Sequence, residues 1–260
     1  MGWWGTAIGG AFGFMIGGPL GAIIGASFGH NFDKGMTGLG SGFQSGDQQR
    51  VQTVFFSTTF AVMGYIAKAD GHVSASEIKL AEQVMTRMQL DAEMRETARK
   101  LFAEGKKDDF QLDEVIGQFR KECHRRQTLI QMFMEIQIQA ALADGSLDAA
   151  ENAVLERICQ ILRFPLATYR QLVQMLQAGQ SYHQGSAATA SGPSLSDAYI
   201  VLGMKETNTD AEIKKAYRRL MSQHHPDKLV SKGLPEEMIK IATEKTQDIR
   251  KAYEVVKAAR

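Results

Sequence analysis

The sequence predicts an all-α protein with one transmembrane helix, a helical central domain and a C-terminal helical hairpin. Three observations indicate this fold class. The chain begins with a long segment that lacks charged residues, and apolar residues recur at helical spacing through most of the rest, with few strand signals. In addition, the last quarter of the chain contains a basic amphipathic helix followed by the sequence HHPDK.

Residues 1–30 are predicted to form a transmembrane anchor. No charged residue lies between Trp3 and Gly29, and 27 helical residues at ~1.5 Å each reach ~40 Å, enough to cross a ~30 Å hydrocarbon core. A secretory signal normally begins with basic residues, and this segment has none, so we expect a retained anchor. Because Lys34 follows the span and no cation precedes it, the positive-inside rule predicts that the N-terminus lies outside and the bulk of the chain lies in the cytoplasm.

Glycine occurs at every fourth position of this predicted span. Such a pattern lets two helix backbones approach closely, and it predicts a homodimer within the membrane. Two alternatives stay open: the glycines only tolerate membrane burial, or Gly18 and Pro19 break the segment into a re-entrant hairpin. The glycines concerned are Gly5, Gly9, Gly13, Gly17, Gly21, Gly25 and Gly29.

Two segments rich in glycine and small polar residues, 31–47 and 178–193, are predicted to be flexible linkers. They divide the chain into the anchor, a central domain at 48–177 and a C-terminal domain at 194–260. The central domain shows helical periodicity throughout, and its length is sufficient for a core of its own.

The central domain contains an internal repeat. ADGHVSASE at residues 69–77 matches ADGSLDAAE at residues 143–151, and each copy lies between two apolar helical segments. Ser74 with Glu77, and Asp148 with Glu151, are spaced as capping boxes for the following helices. We expect two helix–turn–helix units related by a pseudo-twofold axis. These paired acidic turns resemble the TerB-like domain of tellurite-resistance and stress proteins.

That resemblance implies a possible divalent-cation site. In TerB-like domains the acidic turns can hold a cation, which here nominates Asp70, Glu77, Asp144 and Glu151 as oxygen ligands. The alternative is that the two glutamates are capping residues and the two aspartates are turn residues, with no metal bound. We favour the alternative, because the ligand density of an EF-hand is absent, and we expect no cofactor.

A basic amphipathic helix is predicted from Asp210 to about His224. Thr209 and Glu212 form a capping box at its start, and Pro226 disfavours helical geometry at His225. On the helical wheel His224 lies with the apolar residues, so we expect it to pack in the core. His225 leaves the helix beside the basic face and is therefore the candidate contact residue.

The C-terminal domain resembles the J domain of the DnaJ co-chaperone family. The segments DAYIVLG, AEIKKAYRRL, HPD and IRKAYEVV occur in the order that the family shows, over residues 194–260. The resemblance implies a second long helix packed antiparallel to the first. Two positions depart from the family: His224 stands where tyrosine is frequent, and Thr246 lies near a position that is usually aromatic.

The resemblance also implies a function, which is to bind the ATP state of a DnaK-type chaperone and accelerate its ATP hydrolysis. Asp227 offers a carboxylate to an arginine of the partner, Pro226 holds the turn, and His225 supplies a polar ring. Cations on the preceding helix would steer the encounter with an acidic surface, unless they only form a solvated face. These cations are Lys214, Lys215, Arg218 and Arg219, with Lys228 after the turn.

Composition excludes several other classes of protein. With 30 basic and 29 acidic residues the chain has no overall field that would attract nucleic acid. Cys123 and Cys159 form no CxxC pattern, which excludes the zinc modules of larger DnaJ proteins. A hydrolase that uses His225 or Glu151 would need a nucleophile and an oxyanion site, and no such constellation is present, so we expect no enzyme.

As a whole the chain resembles membrane-anchored DnaJ-like co-chaperones of bacteria. The resemblance implies a homodimeric, DnaK-regulating co-chaperone that recruits the ATPase to the inner membrane, with the central domain selecting an unknown client or signalling protein. It also implies a role in envelope-stress or capsule signalling. An alternative function is a metal- or stress-sensing TerB-like module for which the J domain is only the output.

Overall fold

A computed structural model of the chain describes residues 18, 21, 47–69, 81–86, 88, 90–142, 146–188, 194–235 and 238–260. Over these residues the regular structure is entirely helical, which confirms the predicted all-α class. No helix in this described part is both long enough and apolar enough to cross a membrane. The predicted span and its glycines lie outside the described residues, except for Gly18 and Gly21.

In the described part of the central domain, six long helices enclose an apolar core. Residues 81–86 form an additional helical segment between the first two. The long helices are α1 (Asp47–Ala67), α2 (Ala92–Gly105), α3 (Leu112–Glu122), α4 (Gln127–Ala141), α5 (Ala149–Leu162) and α6 (Leu166–Ala188).

Helices α1 and α4 are the interior elements of this domain, since their side chains are buried along most of their length. Phe55 of α1 and Phe133 of α4 meet edge to face with ring centres 6.4 Å apart, and the ring of Phe119 in α3 lies tilted against Phe133 with ring centres 4.6 Å apart. Gln137 of α4 donates a buried hydrogen bond of 3.0 Å to the carbonyl oxygen of Thr59 in α1. The methionines and isoleucines of α4 are core residues, as expected for so apolar a helix.

The second acidic turn has the predicted cap. The side chain of Asp148 accepts a hydrogen bond from the backbone N–H of Ala150 at 2.7 Å, and Glu151 accepts one from the N–H of Asp148 at 3.1 Å. The equivalent pair in the first copy, Ser74 and Glu77, lies outside the described residues. The helices that precede the two turns are α1 and α4, and these pack against each other.

The predicted linker at 178–193 differs from the structure in its first part. Helix α6 begins directly after Pro165, as expected, but it continues to Ala188. Gly179 and Gly185 each cost a helix about 1 kcal/mol relative to alanine, whereas proline costs about 3, and the first proline of this segment is Pro193. Glycine content alone is therefore a weak signal for the end of a helix.

The described residues of the C-terminal domain include the helices α7 (Leu195–Val201), α8 (Asp210–His224), α9 (Pro226–Val230) and α10 (Ile239–Ala258). Gly203, with φ of +66°, ends the first of them in the left-handed conformation that favours glycine. Tyr217 of α8 stacks on Tyr253 of α10 at 4.2 Å, and Asp210 at the start of α8 pairs with Arg260 beyond the end of α10. The two long helices are therefore antiparallel, as the J-domain resemblance implies.

Candidate functional site: the histidine–proline–aspartate turn

Helix α8 has the boundaries that its local signals predict. The Thr209 hydroxyl accepts a hydrogen bond from the N–H of Glu212, and the Glu212 carboxylate accepts one from the N–H of Thr209 at 2.8 Å. At the other end His225 has an extended backbone, with φ of −62° and ψ of 123°, because Pro226 disfavours the helical conformation there. Ile213, Ala216 and Leu220 form the buried face.

The chain re-enters a helix at once after His225, with Pro226 as the first residue of α9. Proline is suited to this position because its fixed φ matches the helix and its missing N–H would have no helical partner. The break between α8 and α9 therefore consists of one extended residue and is shorter than the turn that the sequence motif suggests. It directs the side chains of His225 and Asp227 into solvent.

The predicted contact residues are accessible. The Asp227 side chain is 91% exposed and that of His225 is 49% exposed, with Nδ1 of the imidazole 3.9 Å from a carboxylate oxygen of Asp227. Lys228 donates a hydrogen bond of 2.6 Å to the hydroxyl of Ser222. The motif thus presents a solvated carboxylate beside an orientable ring.

The basic face of α8 is exposed along the helix that leads to this motif. Its four cations are all exposed, and none of them forms an ion pair with a residue that the structure describes. Their positive charge is therefore available to an acidic partner. The cations are Lys214, Lys215, Arg218 and Arg219.

His224 is buried, as predicted, with 3% of its side chain exposed. Its Nε2 lies 3.5 Å from Oε1 of Glu135, a residue of α4 in the central domain, and Lys245 of α10 lies 3.9 Å from the other oxygen of the same carboxylate. Burial lowers the pKa of His224 below its ordinary value of 6.5; Glu135 opposes this shift and Lys245 adds to it. The imidazole is therefore neutral at pH 7.

This burial predicts an acid-sensitive stability. Because the pKa of His224 is lowered in the folded state, the unfolded chain binds a proton below pH 6.5 that the folded chain does not bind. The free energy of unfolding is therefore highest above pH 6.5 and decreases as the pH falls. The free energy of unfolding decreases by at most about 1.4 kcal/mol per pH unit from this one group. Urea unfolding of the wild type between pH 7.5 and 5.5 should show this loss, and His224→Gln should reduce it. An equal slope in the wild type and in His224→Gln would contradict the prediction.

Arg260 holds the far end of the hairpin closed. Its guanidinium donates to the hydroxyl of Tyr199 at 2.9 Å, to the carbonyl oxygen of Asn208 at 2.7 Å and to the carboxylate of Asp210. It also lies over the Tyr199 ring, 5.7 Å from the ring centre. One side chain thus joins α7, the loop before α8 and the first residue of α8.

Arg260→Ala is therefore expected to lower the thermal midpoint of unfolding, and Arg260→Lys should recover only a small part of the loss. An ammonium group cannot reproduce the planar fork that reaches several acceptors together. Differential scanning calorimetry measures the effect. Lys257→Ala, which removes an exposed cation from the same region of the chain, is the control; the same midpoint for both alanine variants would show that the contacts of Arg260 contribute nothing.

The candidate metal ligands are mostly outside the described residues. Asp70, Glu77 and Asp144 lie there, and Glu151 acts as the capping partner of Asp148. Within the part of the chain that the structure describes, no group of three or more potential ligands is positioned to hold a metal ion.

Both cysteines are free thiols buried in the central core. Burial raises the pKa of Cys123 to about 12 and that of Cys159 to about 12. Neither thiol is therefore a nucleophile at neutral pH.

Three residues of functional interest were not found from the sequence: Glu135, Lys245 and Arg260. Glu135 lies in a strongly apolar helix and Lys245 in an amphipathic one, and the significance of each residue depends on which helix it faces. The one available signal was the acidic residue within an otherwise strongly apolar helix, since a buried carboxylate requires a partner.

Comparison with known proteins gives three family models in chain order. The model described as "Co-chaperone DjlA transmembrane domain" matches residues 1–46, "Tellurite resistance protein TerB" matches residues 57–174, and "DnaJ domain" matches residues 197–260. The anchor, TerB-like and J-domain resemblances inferred from sequence motifs are confirmed by these matches.

Curated relatives match over nearly their whole length. The "Co-chaperone protein DjlA" of Coxiella burnetii and that of Shewanella oneidensis are each 47% identical, with 100% of this chain and 99% of the relative covered. The protein of the same name from Escherichia coli O157:H7 is 43% identical, with 99% and 98% covered. No solved structure matches the chain.

The exposed histidine–proline–aspartate motif, the order of the three matched domains and the full-length similarity lead to one assignment. This chain belongs to the DjlA family of J-domain co-chaperones.

Proposed function

We propose that the chain stimulates the ATPase of a DnaK-type chaperone through Asp227 and His225. The observation that carries the proposal is the exposure of both side chains at the one-residue break between α8 and α9. A solvated carboxylate can form a charge-assisted hydrogen bond with an arginine of the partner, and such bonds are roughly twice as strong as neutral ones. Pro226 holds the break in one conformation, so little order is lost on binding.

The exposed cations of α8 support the proposal by providing attraction at a distance. Opposite charge on a partner raises the association rate, and at physiological ionic strength salt screens the attraction beyond a Debye length of about 8 Å. Lys214 and Lys215 lie in the first half of the helix, and Arg218 and Arg219 lie one turn further on. Together they extend the contact surface along α8 from the motif, with Lys228 on its other side.

The same proposal includes recruitment to the bacterial inner membrane. Residues 1–30 form the anchor, with the N-terminus periplasmic and the bulk of the chain cytoplasmic, where a DnaK-type partner hydrolyses ATP. The glycine repeat from Gly5 to Gly29 makes a homodimer contact, and residues 31–47 lead to the central domain. The matched membrane domain at residues 1–46 supports the anchor, and the cations that follow the span support the orientation.

The central domain selects the client in this proposal, and the pathway served is envelope-stress or capsule signalling. The evidence for the pathway is the resemblance alone. Crosslinking the full-length protein in native membranes and identifying the co-purified proteins by mass spectrometry is the experiment for this part. Recovery of DnaK without any envelope or signalling protein would contradict the assigned pathway but leave the co-chaperone activity standing.

The test of the proposed activity is single-turnover ATP hydrolysis by DnaK in the presence of the full-length chain in lipid vesicles. Added protein is expected to raise the rate, and His225→Gln is expected to remove the increase. Empty vesicles are the control for lipid effects. An unchanged rate with wild-type protein, or the same increase with the variant, would overturn the proposal.

A further inference from the structure

We propose that the J domain is docked on the central domain through a specific interface in which Glu135 binds His224 and Lys245. Docking holds the histidine–proline–aspartate motif outward in a fixed orientation. The docking does not depend on the proposed function. Only the role of the outward-facing motif as a DnaK contact rests on it. The sequence, in contrast, predicts two domains separated by a flexible linker.

The apolar part of the interface comes from the loop between α9 and α10 and from the start of α10. Leu229, Leu234 and Met238 have no exposed surface, and together with Ile241 and Ala242 they belong to the same continuous cluster as the core of the central domain. The remaining apolar residues of the J domain form a separate cluster around Leu202, Ile213 and Ile249. The loop residues therefore extend the core of the neighbouring domain.

A second contact lies on α6, the last helix of the central domain. Met175 of this helix is 6% exposed and belongs to the apolar cluster of the J domain. Each domain thus contributes side chains to the core of the other. Removing a large apolar side chain from water is favourable, so separation of the two domains would expose apolar surface at both contacts.

Polar contacts and close packing surround the apolar loop. Lys232 donates a hydrogen bond of 2.7 Å to the hydroxyl of Thr128, and Gln48 donates one of 3.3 Å to the carbonyl oxygen of Val230. At Gly233 an added Cβ would lie 2.8 Å from a methyl group of Val51, so the loop backbone lies directly against α1. These contacts come from α1 and α4 of the central domain, the two helices that precede the acidic turns.

Glu135 provides the specificity of the interface. Its side chain is 4% exposed, and a buried carboxylate without partners is strongly destabilising. Gln131 of its own helix donates one hydrogen bond of 3.0 Å, but the other polar partners, His224 and Lys245, come from the J domain. If the J domain were shifted or rotated, the Glu135 carboxylate and the Lys245 ammonium would lose their ion pair. The pair therefore favours a single docked arrangement.

The docked arrangement leaves the proposed DnaK contacts open. His225 directly follows the buried His224, yet its ring is half exposed, and Asp227 is almost fully exposed. The four cations on α8 are exposed as well. Docking therefore buries the loop between α9 and α10 and leaves the motif and the α8 cations exposed. The central domain orients the J domain in this arrangement and does not inhibit it.

Hydrogen exchange of the full-length protein, measured by mass spectrometry without DnaK, tests the interface. Glu135→Lys places a cation beside Lys245, and we expect exchange in residues 229–242 to increase at least about tenfold, a change that corresponds to about 1.4 kcal/mol. Glu135→Lys combined with Lys245→Glu restores opposite charges and should return exchange toward the wild-type rate. Glu96→Lys, at an exposed carboxylate of α2, is the control. Wild-type exchange in Glu135→Lys, or no recovery in the double variant, would overturn the proposal.

Thiol crosslinking provides a second test that leaves Glu135 intact. Cysteines at Thr128 and Lys232 should be joined within one chain by a reagent as long as a lysine side chain. Cysteines at Thr128 and Arg250 should not be joined, because Arg250 lies about 140° around α10 from Lys245 at 100° per residue. The native thiols are buried and do not compete. Equal crosslinking of both pairs, or a crosslinked dimer in place of the monomer, would contradict docking within the chain.

Neither measurement requires DnaK. The results can therefore contradict the docked interface without contradicting the proposed ATPase stimulation, and the ATPase assay can contradict the stimulation without contradicting the interface.

Discussion

Asp227→Asn is expected to abolish stimulation of DnaK by this protein while leaving its fold unchanged. The carboxylate is 91% exposed and lies 3.9 Å from His225, so its removal leaves no buried group unpaired. A hydrogen bond to a charged group contributes about 1.5–3 kcal/mol, which corresponds to a roughly 10- to 100-fold loss in the partner's response. Titration of the variant in single-turnover ATPase assays measures the loss, and circular dichroism verifies the fold.

The matched control for Asp227 is Glu254→Gln, since Glu254 is also an exposed carboxylate of the J domain. It lies next to Tyr253, which stacks on Tyr217 at the middle of α8, about 12 Å of helix before His225 at ~1.5 Å per residue. We expect Glu254→Gln to stimulate the ATPase of DnaK as strongly as the wild type does. Equal reductions in both variants would mean that the net charge of the domain acts, and not the carboxylate at the motif.

Gly64→Ala is expected to destabilise the central domain more than any exposed substitution. Helices α1 and α2 cross in backbone contact: a Cβ on Gly64 would overlap the carbonyl oxygen of Phe102, and a Cβ on Gly105 would overlap that of Ala61. Overpacking typically costs about 1–3 kcal/mol, and occasionally more. We expect a value at or above the upper end, because the opposing atoms are backbone and cannot change rotamer. Urea unfolding followed by circular dichroism measures the change.

Gly117→Ala is the control for this substitution. Gly117 lies within helix α3, and an added Cβ there would have no heavy atom within 4 Å. Alanine is favoured over glycine within a helix by about 0.8–1.0 kcal/mol, so this variant should be more stable than the wild type. If Gly64→Ala lowers the free energy of unfolding and Gly117→Ala raises it, the effect at Gly64 is due to the close approach of the two helices and not to helix propensity. A gain in stability for Gly64→Ala would contradict the crossing.

The local features of the functional motif could be predicted because each depends on neighbours in sequence. Thr209 and Glu212 set the start of α8, and Pro226 sets its end. The spacing of Ile213, Ala216 and Leu220 then decides which face is buried, and with it the different environments of His224 and His225. All of these signals lie within about one turn of the residues that they position.

The limits of the linker could not be predicted in the same way. The sequence predicted an early end for α6 because glycine and small polar residues begin at 178, but the helix continues to Ala188. Helix termination depends on the balance between a modest propensity cost and the contacts that hold the helix, and Met175 packs into the J domain near this point. Composition contains no information about those contacts.

The amino-acid sequence by itself determined the helical class, the order of the three domains and the exposed motif, since these follow from periodicity, caps and a single proline. Only the tertiary structure decided what His224 contacts. Its partner, Glu135, lies in a different domain, and both residues occupy ordinary core-facing positions of their own helices. Periodicity specifies that a helix face is buried, but the residue against which it is buried depends on how the helices pack.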